Sequence, residues 1–266
     1  MISAMLPVLF QIGSFALNTY TALIDVGLAV ALVTLYRRAP EGKRAQWLDA
    51  GLAAIIGGFI GARLLYAIVN GNYYVLHPEE AFMLWRGGLA WPGAVVGGPL
   101  GASLYCSRKR EPLWPLLDVL ALPIALLGLF SWGGCLAASC AYGTEVLPGQ
   151  LPQWLTFTAP DIYGIIVPRW PTQTAGIVWS LFAMLVVWNT ARTMRWRVGA
   201  NAAYALSLTA LGAFLLGFTR GDPMPLVNGF RLDLIGSGLI LLTATGAWLT
   251  LITRKPAQSP NHSITQ

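Results

Sequence analysis

One stretch near the middle of the chain decides the fold: Phe130-Ser131-Trp132-Gly133-Gly134-Cys135-Leu136-Ala137-Ala138-Ser139-Cys140-Ala141-Tyr142-Gly143-Thr144-Glu145. It ends a long apolar run and begins the longest polar loop, and small residues dominate it. Small residues allow a second backbone or a lipid to approach closely. The stretch therefore marks the boundary between a hydrophobic helix and a loop that meets water.

The composition indicates a membrane protein. The 266 residues are 56% hydrophobic and 11% charged, whereas soluble domains carry about 25% charged residues. So few charges cannot cover a water-exposed surface, which predicts a polytopic integral membrane protein. The formal net charge is +6, but no face combines basic and aromatic residues, so we expect no nucleic-acid partner. The three cysteines lack a metal-ligand spacing, and we expect neither a metal nor a cofactor.

Seven apolar runs approach the roughly 20 residues that a membrane-spanning helix needs. Most of the 17 Lys and Arg residues fall in the loops on one side of these runs, which places that side in the cytoplasm. We therefore predict an all-α protein of the bacterial inner membrane, with about seven transmembrane helices, a periplasmic N-terminus and a cytoplasmic C-terminus. Residues 1–253 are expected to form a single membrane domain, and residues 254–266 a short disordered cytoplasmic tail. The predicted spans are 17–36, 48–69, 88–106, 113–135, 173–191, 201–218 and 233–252.

Glycine spacing in two of the spans allows close helix packing. Gly57 and Gly61 lie four residues apart in the second span, and Gly93, Gly97 and Gly101 repeat that spacing in the third. Glycines at this spacing remove side chains from one helix face, so two backbones can approach closely.

Charges within the spans mark candidate functional positions, because burying a charge in lipid is costly. Arg63 is expected to face the bundle and to find a carboxylate, a carbonyl or a lipid phosphate. A structural ion pair between Arg63 and Asp25 is one alternative. Asp118 is expected near the cytoplasmic interface, where it would balance the basic residues 108–110.

Cys135 and Cys140 lie five residues apart at the end of the fourth span. The default expectation for each is a small apolar packing residue. An oxidising compartment would allow a disulfide, but this spacing on a continuous helix separates the two residues by more than one turn.

Six short motifs occur in order along the chain. They are Ile12-Gly13-Ser14-Phe15 with Tyr20, Gly61-Ala62-Arg63-Leu64-Leu65-Tyr66, Trp85-Arg86-Gly87-Gly88-Leu89-Ala90-Trp91-Pro92-Gly93, Gly134 to Gly143, Arg169-Trp170-Pro171-Thr172-Gln173, and Phe218-Thr219-Arg220-Gly221-Asp222-Pro223. Each motif alone is weak, but the set, its order and the seven-span topology resemble the bacterial prolipoprotein diacylglyceryl transferase family.

The resemblance implies an enzyme that moves diacylglyceryl from phosphatidylglycerol to the lipobox cysteine thiol of a preprolipoprotein, with glycerol 1-phosphate leaving. Its partners would be phosphatidylglycerol, the lipobox peptide and other membrane lipids. By position, the resemblance assigns catalytic roles to Tyr20, Tyr142 and Arg220. It assigns substrate binding to Arg63, Gly143, Arg169, Gln173, Cys135 and Cys140.

Several family positions are replaced in this chain, which leaves a second interpretation open: a non-catalytic relative that binds lipid or lipoprotein. The catalytic interpretation would be favoured if one cavity were lined by Arg63, Arg169 and Arg220. The replacements are Pro92 and Trp170 for histidines, Trp132 and Ala213 for arginines, Thr209 for a tyrosine and Gly217 for a glutamate.

Overall fold

The computed structural model describes residues 8–13, 15–83, 87–161 and 163–253. Within these ranges the chain forms nine α-helices, two 3₁₀ turns and three two-stranded hairpins. The predicted tail 254–266 lies outside the described residues. The helices are α1 Thr19–Arg38, α2 Arg44–Val69, α3 Gly71–Tyr74, α4 Trp91–Lys109, α5 Leu113–Val119, α6 Ala121–Ala138, α7 Thr172–Thr193, α8 Ala200–Gly217 and α9 Leu232–Thr253; the strands are β1 Val8–Ile12, β2 Phe15–Asn18, β3 Phe157–Pro160, β4 Ile166–Arg169, β5 Leu226–Val227 and β6 Phe230–Arg231.

Six of these helices are long and apolar enough to cross a membrane: α1, α2, α6, α7, α8 and α9. This confirms a mainly helical protein that crosses the membrane several times. The 19-residue helix α4 occupies the remaining predicted span but is not one of the six.

The predicted span 113–135 is not one continuous helix. It is divided at Leu120 into the short helix α5 and the long helix α6. Pro123 has no backbone N–H and cannot bond the carbonyl of Val119, which weakens the helix at this point. The expectation of one unbroken helix is therefore wrong here.

Pairs of helices pack against each other in the bundle. The contact between α2 and α4 is the most extensive, followed by that between α8 and α9. Both glycine motifs lie at a close helix contact, as expected, and the structure shows that the two motifs pack against each other. A Cβ on Gly57 would collide with the carbonyl oxygen of Gly97, and one on Gly61 with that of Gly93. The absence of side chains therefore sets the distance between these two helices.

Asp118 caps another helix rather than balancing residues 108–110. Its carboxylate accepts hydrogen bonds from the backbone N–H groups of Gly199 (2.6 Å) and Ala202 (3.0 Å) at the start of α8. These N–H groups have no partner within their own helix, and a carboxylate there also interacts favourably with the helix dipole. The expected balancing of residues 108–110 by Asp118 is therefore wrong, whereas its location near the cytoplasmic interface stays a prediction.

The three hairpins were not predicted, because each consists of strands of only two to five residues. All three lie outside the long helices, before α1, before α7 and before α9.

Candidate functional site

Most predicted site residues lie together at one end of the bundle, where α1, α7 and α9 begin and α6 and α8 end. We call this region the loop end. It includes the segment 139–171, which joins α6 to α7, and the segment 218–231, which joins α8 to α9. Hydrogen bonds described below join these segments directly.

Helix α6 ends in a turn that a disulfide closes. Ser139 follows the helix with a left-handed φ of 57°, which reverses the chain. The N–H of Cys140 then donates to the carbonyl of Cys135 at 3.0 Å, and the two cysteines form a disulfide with their Cα atoms 4.5 Å apart. The expectation of two unlinked apolar cysteines was wrong, because it assumed a continuous helix through Ser139. Substrate binding by either cysteine stays a prediction.

Gln173 ties the first turn of α7 to this disulfide turn. Its side chain is 3% exposed, and its Nε2 donates to the carbonyls of Cys135 (3.1 Å) and Cys140 (2.6 Å). Both amide hydrogens are thus used within the protein. Gln173 positions the loop end, and its direct contact with substrate stays a prediction.

Tyr142 and Gly143 link the two loop segments. The backbone N–H of Gly221 donates to the carbonyl of Tyr142 at 2.8 Å, and Gly143 forms an antiparallel bridge with Arg220. A Cβ on Gly143 would collide with the carbonyl oxygen of Trp170. Only glycine fits at this crossing without moving the backbone.

Arg169 is buried beneath this crossing. Its Nη2 pairs with Asp161 Oδ2 at 3.0 Å, and its Nη1 approaches the carbonyl of Gly143 at 3.4 Å. Its guanidinium carbon lies 4.8 Å from the centre of the Tyr142 ring, a distance at which a cation interacts favourably with an aromatic face. Arg169, Tyr142 and Gly143 therefore form one packed group.

Electrostatics fix the protonation states in this group. Burial is the largest effect on Tyr142 and raises the pKa of its hydroxyl, with further contributions from the charges of Asp161 and Asp222. Desolvation alone would raise the pKa of Asp161, but N–H donors from Ile165 and Tyr163 and the charge of Arg169 lower it overall. Near neutral pH, Tyr142 is therefore a neutral hydroxyl and Asp161 a carboxylate.

Arg220 lies in the 218–231 segment beside two carboxylates. Its Nε and Nη2 bond Asp222 at 2.9 and 2.6 Å, and its Nη1 approaches Asp233 Oδ2 at 3.4 Å. Burial would lower the pKa of Arg220, but Asp222, Asp233 and the nearby Tyr20 raise it. The guanidinium is therefore always charged.

Tyr20 occupies the first turn of α1 and packs against Gly134 in the last part of α6. A Cβ on Gly134 would lie 2.9 Å from the Tyr20 ring. Tyr20 also lies close enough to Arg220 to affect its pKa. The structure thus places Tyr20, Arg220 and the disulfide turn in the same region.

Arg63 makes a different set of contacts. Its side chain is 6% exposed, and all five of its N–H groups point to backbone carbonyls rather than to a carboxylate. The alternative pairing with Asp25 is wrong, since Asp25 lies exposed on α1. Phosphate binding by Arg63 stays a prediction, and it would require one of the existing bonds to open. The acceptors are the carbonyls of Ala81 (2.8 Å), Gly88 (3.0 Å), Met83 (3.2 Å), Gly87 and Glu80.

Three of the replaced family positions fill space against glycines. Pro92 packs on Gly236 of α9, Trp132 on Gly176 of α7, and Trp170 on Gly143. Pro92 and Trp132 make these contacts with their side chains, whereas Trp170 meets Gly143 through its backbone carbonyl and Cβ. Neither Pro92 nor Trp170 can transfer a proton as the histidines that the resemblance places there would.

The sequence analysis did not assign roles to Asp161, Asp222, Arg231 or Asp233, all of which contact the predicted arginines. A signal for three of them is present: the pattern Arg-x-Asp occurs at 220–222 and again at 231–233. Across the ranges that the structure covers, no group of three His, Cys, Asp or Glu side chains could hold a metal ion.

The fold and the loop end define a class: a polytopic membrane protein in which buried arginines, tyrosines and a disulfide turn meet at one end of the helix bundle. A profile of the prolipoprotein diacylglyceryl transferase family matches residues 7–251. The chain therefore belongs to the prolipoprotein diacylglyceryl transferase family.

Individual relatives agree with this assignment. Phosphatidylglycerol–prolipoprotein diacylglyceryl transferase of Fervidobacterium nodosum is 30% identical over 263 residues, which cover 95% of this chain and 87% of the relative. The enzyme of Symbiobacterium thermophilum is 28% identical over 271 residues, covering 95% of each chain. That of Clostridium tetani is 28% identical over 222 residues, covering 82% of this chain and 87% of the relative.

Proposed function

We propose that this protein transfers diacylglyceryl from phosphatidylglycerol to the cysteine thiol of a preprolipoprotein lipobox. The observation that carries the proposal is the meeting of Tyr20, Tyr142, Gly143 and Arg220 at the loop end. These residues come from three separate parts of the sequence, and each part matches a family motif. Family membership supplies the reaction class, and the local geometry supplies the roles.

The proposed step exchanges one bond for another. The thiolate sulfur of the acceptor attacks the glyceryl carbon that carries the phosphate ester. A carbon–sulfur bond forms, the carbon–oxygen bond to the phosphate breaks, and the leaving oxygen keeps the electron pair as glycerol 1-phosphate. The thiol proton is released before the attack, since the thiolate is the nucleophile.

Negative charge on the phosphate increases as the carbon–oxygen bond breaks. A permanently charged guanidinium near the leaving oxygen therefore stabilises the transition state more than the bound lipid. Arg220 is the best candidate, because among the described residues its Nη1 makes a single long contact, with Asp233 at 3.4 Å. Arg169 supports the site indirectly, because its guanidinium contacts the carbonyl of Gly143 and the Tyr142 ring.

Tyr20 and Tyr142 are proposed to orient the glyceryl group. Burial keeps the Tyr142 hydroxyl neutral, so it can donate or accept a hydrogen bond but does not serve as a base. The acceptor thiol supplies its own thiolate, because a free cysteine is a few per cent ionised near pH 7.

We also propose that α4 is a seventh transmembrane helix. Its 19 residues reach about 28 Å at 1.5 Å per residue, close to the thickness of the hydrocarbon core. It packs along α2 through backbone contacts. Seven spans would place the two termini on opposite sides of the inner membrane. The distribution of basic residues would then put the N-terminus in the periplasm and the C-terminus in the cytoplasm. Residues 1–253 would form one domain.

The test is transfer by the purified protein in detergent, with phosphatidylglycerol and a lipobox peptide, followed by mass spectrometry of the peptide. We expect a diacylglyceryl mass increase that Arg220→Gln reduces at least tenfold. Arg192→Gln is the matched control, because Arg192 lies in the last turn of α7, at the opposite end of that helix from the loop end, where its guanidinium stacks on Trp188. Lipid binding without any mass increase in the wild type would indicate the non-catalytic relative instead.

A further inference from the structure

Four charged side chains form a closed ring at the loop end: Arg220, Asp222, Arg231 and Asp233. Asp222 Oδ2 contacts Arg220 at 2.6 Å, and Asp222 Oδ1 approaches Arg231 at 3.5 Å. Asp233 Oδ2 lies 3.1 Å from Arg231 and 3.4 Å from Arg220. Two positive and two negative charges thus share one partly buried cluster.

The two arginines use their donors differently. Arg231 binds both oxygens of Asp233 through Nε and Nη2 at 3.1 Å each. Its Nη1 donates to the carbonyls of Arg220 (3.1 Å) and Asp222 (3.2 Å). Every nitrogen of Arg231 is therefore occupied within the protein. The Nη1 of Arg220, in contrast, makes one long contact within the described part of the chain, with Asp233 at 3.4 Å.

The local fold holds Arg231 in this position. Asn228 and Gly229 have positive φ angles of 50° and 82°, which form the tight turn between β5 and β6 that such residues favour. Arg231 pairs with Leu226 across this hairpin. Asp233 follows in the first turn of α9, where its Oδ1 accepts the N–H of Leu234 at 3.0 Å. The arrangement is therefore set by backbone structure.

The presence of Arg231 determines how many carboxylates Arg220 has to balance. Asp233 is 3% exposed, and a buried carboxylate requires a cation. Without Arg231, that cation would be Arg220, and one guanidinium would face two carboxylates. An anionic ligand at Arg220 would then meet a cluster of net charge −1 rather than zero.

We propose that Arg231 is a positioning residue that binds Asp233 and so leaves the Nη1 of Arg220 available for an anionic phosphodiester headgroup. This inference rests on the proposed function, because it concerns the same lipid. Arg231 itself does not contact the lipid. It determines whether the site accepts a headgroup with a net negative charge.

The experiment compares phosphatidylglycerol, which is anionic, with phosphatidylethanolamine, which is net neutral, in binding to the full chain in detergent. We expect Arg231→Gln to weaken phosphatidylglycerol binding roughly 10- to 50-fold, as one unbalanced charge at about 7–10 Å would. Binding of phosphatidylethanolamine should stay unchanged. A variant that fails to fold would lose both lipids, which separates a structural defect from the electrostatic effect.

The double variant Arg231→Gln/Asp233→Asn provides the decisive comparison, because it removes both charges and restores a net charge of zero. We expect it to recover phosphatidylglycerol binding to within about threefold of the wild type. A double variant as weak as Arg231→Gln alone would overturn the proposal, as would unchanged binding in Arg231→Gln.

The transfer assay separates this inference from the proposed function. Transfer by the wild type with an unchanged KM for phosphatidylglycerol in Arg231→Gln would overturn the inference alone. Absence of transfer by the wild type, together with the expected loss of binding in Arg231→Gln, would overturn the proposed function alone.

Discussion

Replacement of Arg63 by Lys keeps the positive charge but removes the planar fork that reaches five carbonyls in the segment 80–88. Lysine has three donors, so at least two of these partly buried carbonyls lose their partner. A hydrogen bond to a charged group contributes about 1.5–3 kcal/mol. Two such losses predict a decrease of about 3–6 kcal/mol in the free energy of unfolding.

The measurement is denaturant unfolding of the purified protein in detergent, together with phosphatidylglycerol binding by the folded fraction. We expect lower stability for Arg63→Lys with unchanged lipid affinity, because the guanidinium already donates all its hydrogens to the protein. Arg192→Lys is the matched control and should be as stable as the wild type. Our reasoning would be refuted if Arg63→Lys were fully stable but bound phosphatidylglycerol weakly, since Arg63 would then act mainly on the phosphate.

Three other perturbations test separate parts of the structure. Gly97→Ala should destabilise the protein by about 1–3 kcal/mol in an unfolding assay, because the added methyl group collides with the α2 backbone. Gly98→Ala should be nearly neutral, because its Cβ would have its nearest neighbour at 3.5 Å. Equal effects of the two variants on the unfolding free energy would contradict the predicted contact. Reduction of Cys135–Cys140 should lower the unfolding free energy by about 2 kcal/mol, as expected for a short loop, and identical unfolding with and without reductant would contradict this. The transfer rate should rise about tenfold per pH unit up to the acceptor cysteine pKa near 8.5. Ionisation of Tyr142 should not change the slope of this profile, because burial raises the Tyr142 pKa. A plateau in the rate already at pH 6–7 would reveal a general base that our mechanism lacks.

Helix content and one helix contact were predictable from the sequence because they depend on local patterns. Apolar runs of membrane-spanning length predicted the long helices. The spacing of Gly57 and Gly61 predicted close helix packing, and the structure shows that α4 is the helix packed there. The break at Leu120 was missed although Pro123 was visible. Hydropathy alone does not show whether a proline bends a helix or divides it.

The charge pairs of the loop end could not be predicted with the same certainty, because they depend on how loops fold back. Arg169 reaches Asp161 across the hairpin of β3 and β4, and strands this short give no clear alternation. The disulfide depended on a left-handed serine at 139, a conformation more often taken by glycine. Family motifs indicated Tyr142 and Arg220, but not the carboxylates of Asp222 and Asp233 that contact Arg220.

The most direct test of the proposed function is product stoichiometry with the wild-type protein. Phosphatidylglycerol labelled in both the diacylglyceryl group and the headgroup would be incubated with the lipobox peptide, and the modified peptide and glycerol phosphate would be measured together. We predict equal amounts of the two products, since one carbon–oxygen bond breaks for each carbon–sulfur bond formed. No modified peptide, or glycerol phosphate released without it, would contradict the assignment of diacylglyceryl transfer to this chain.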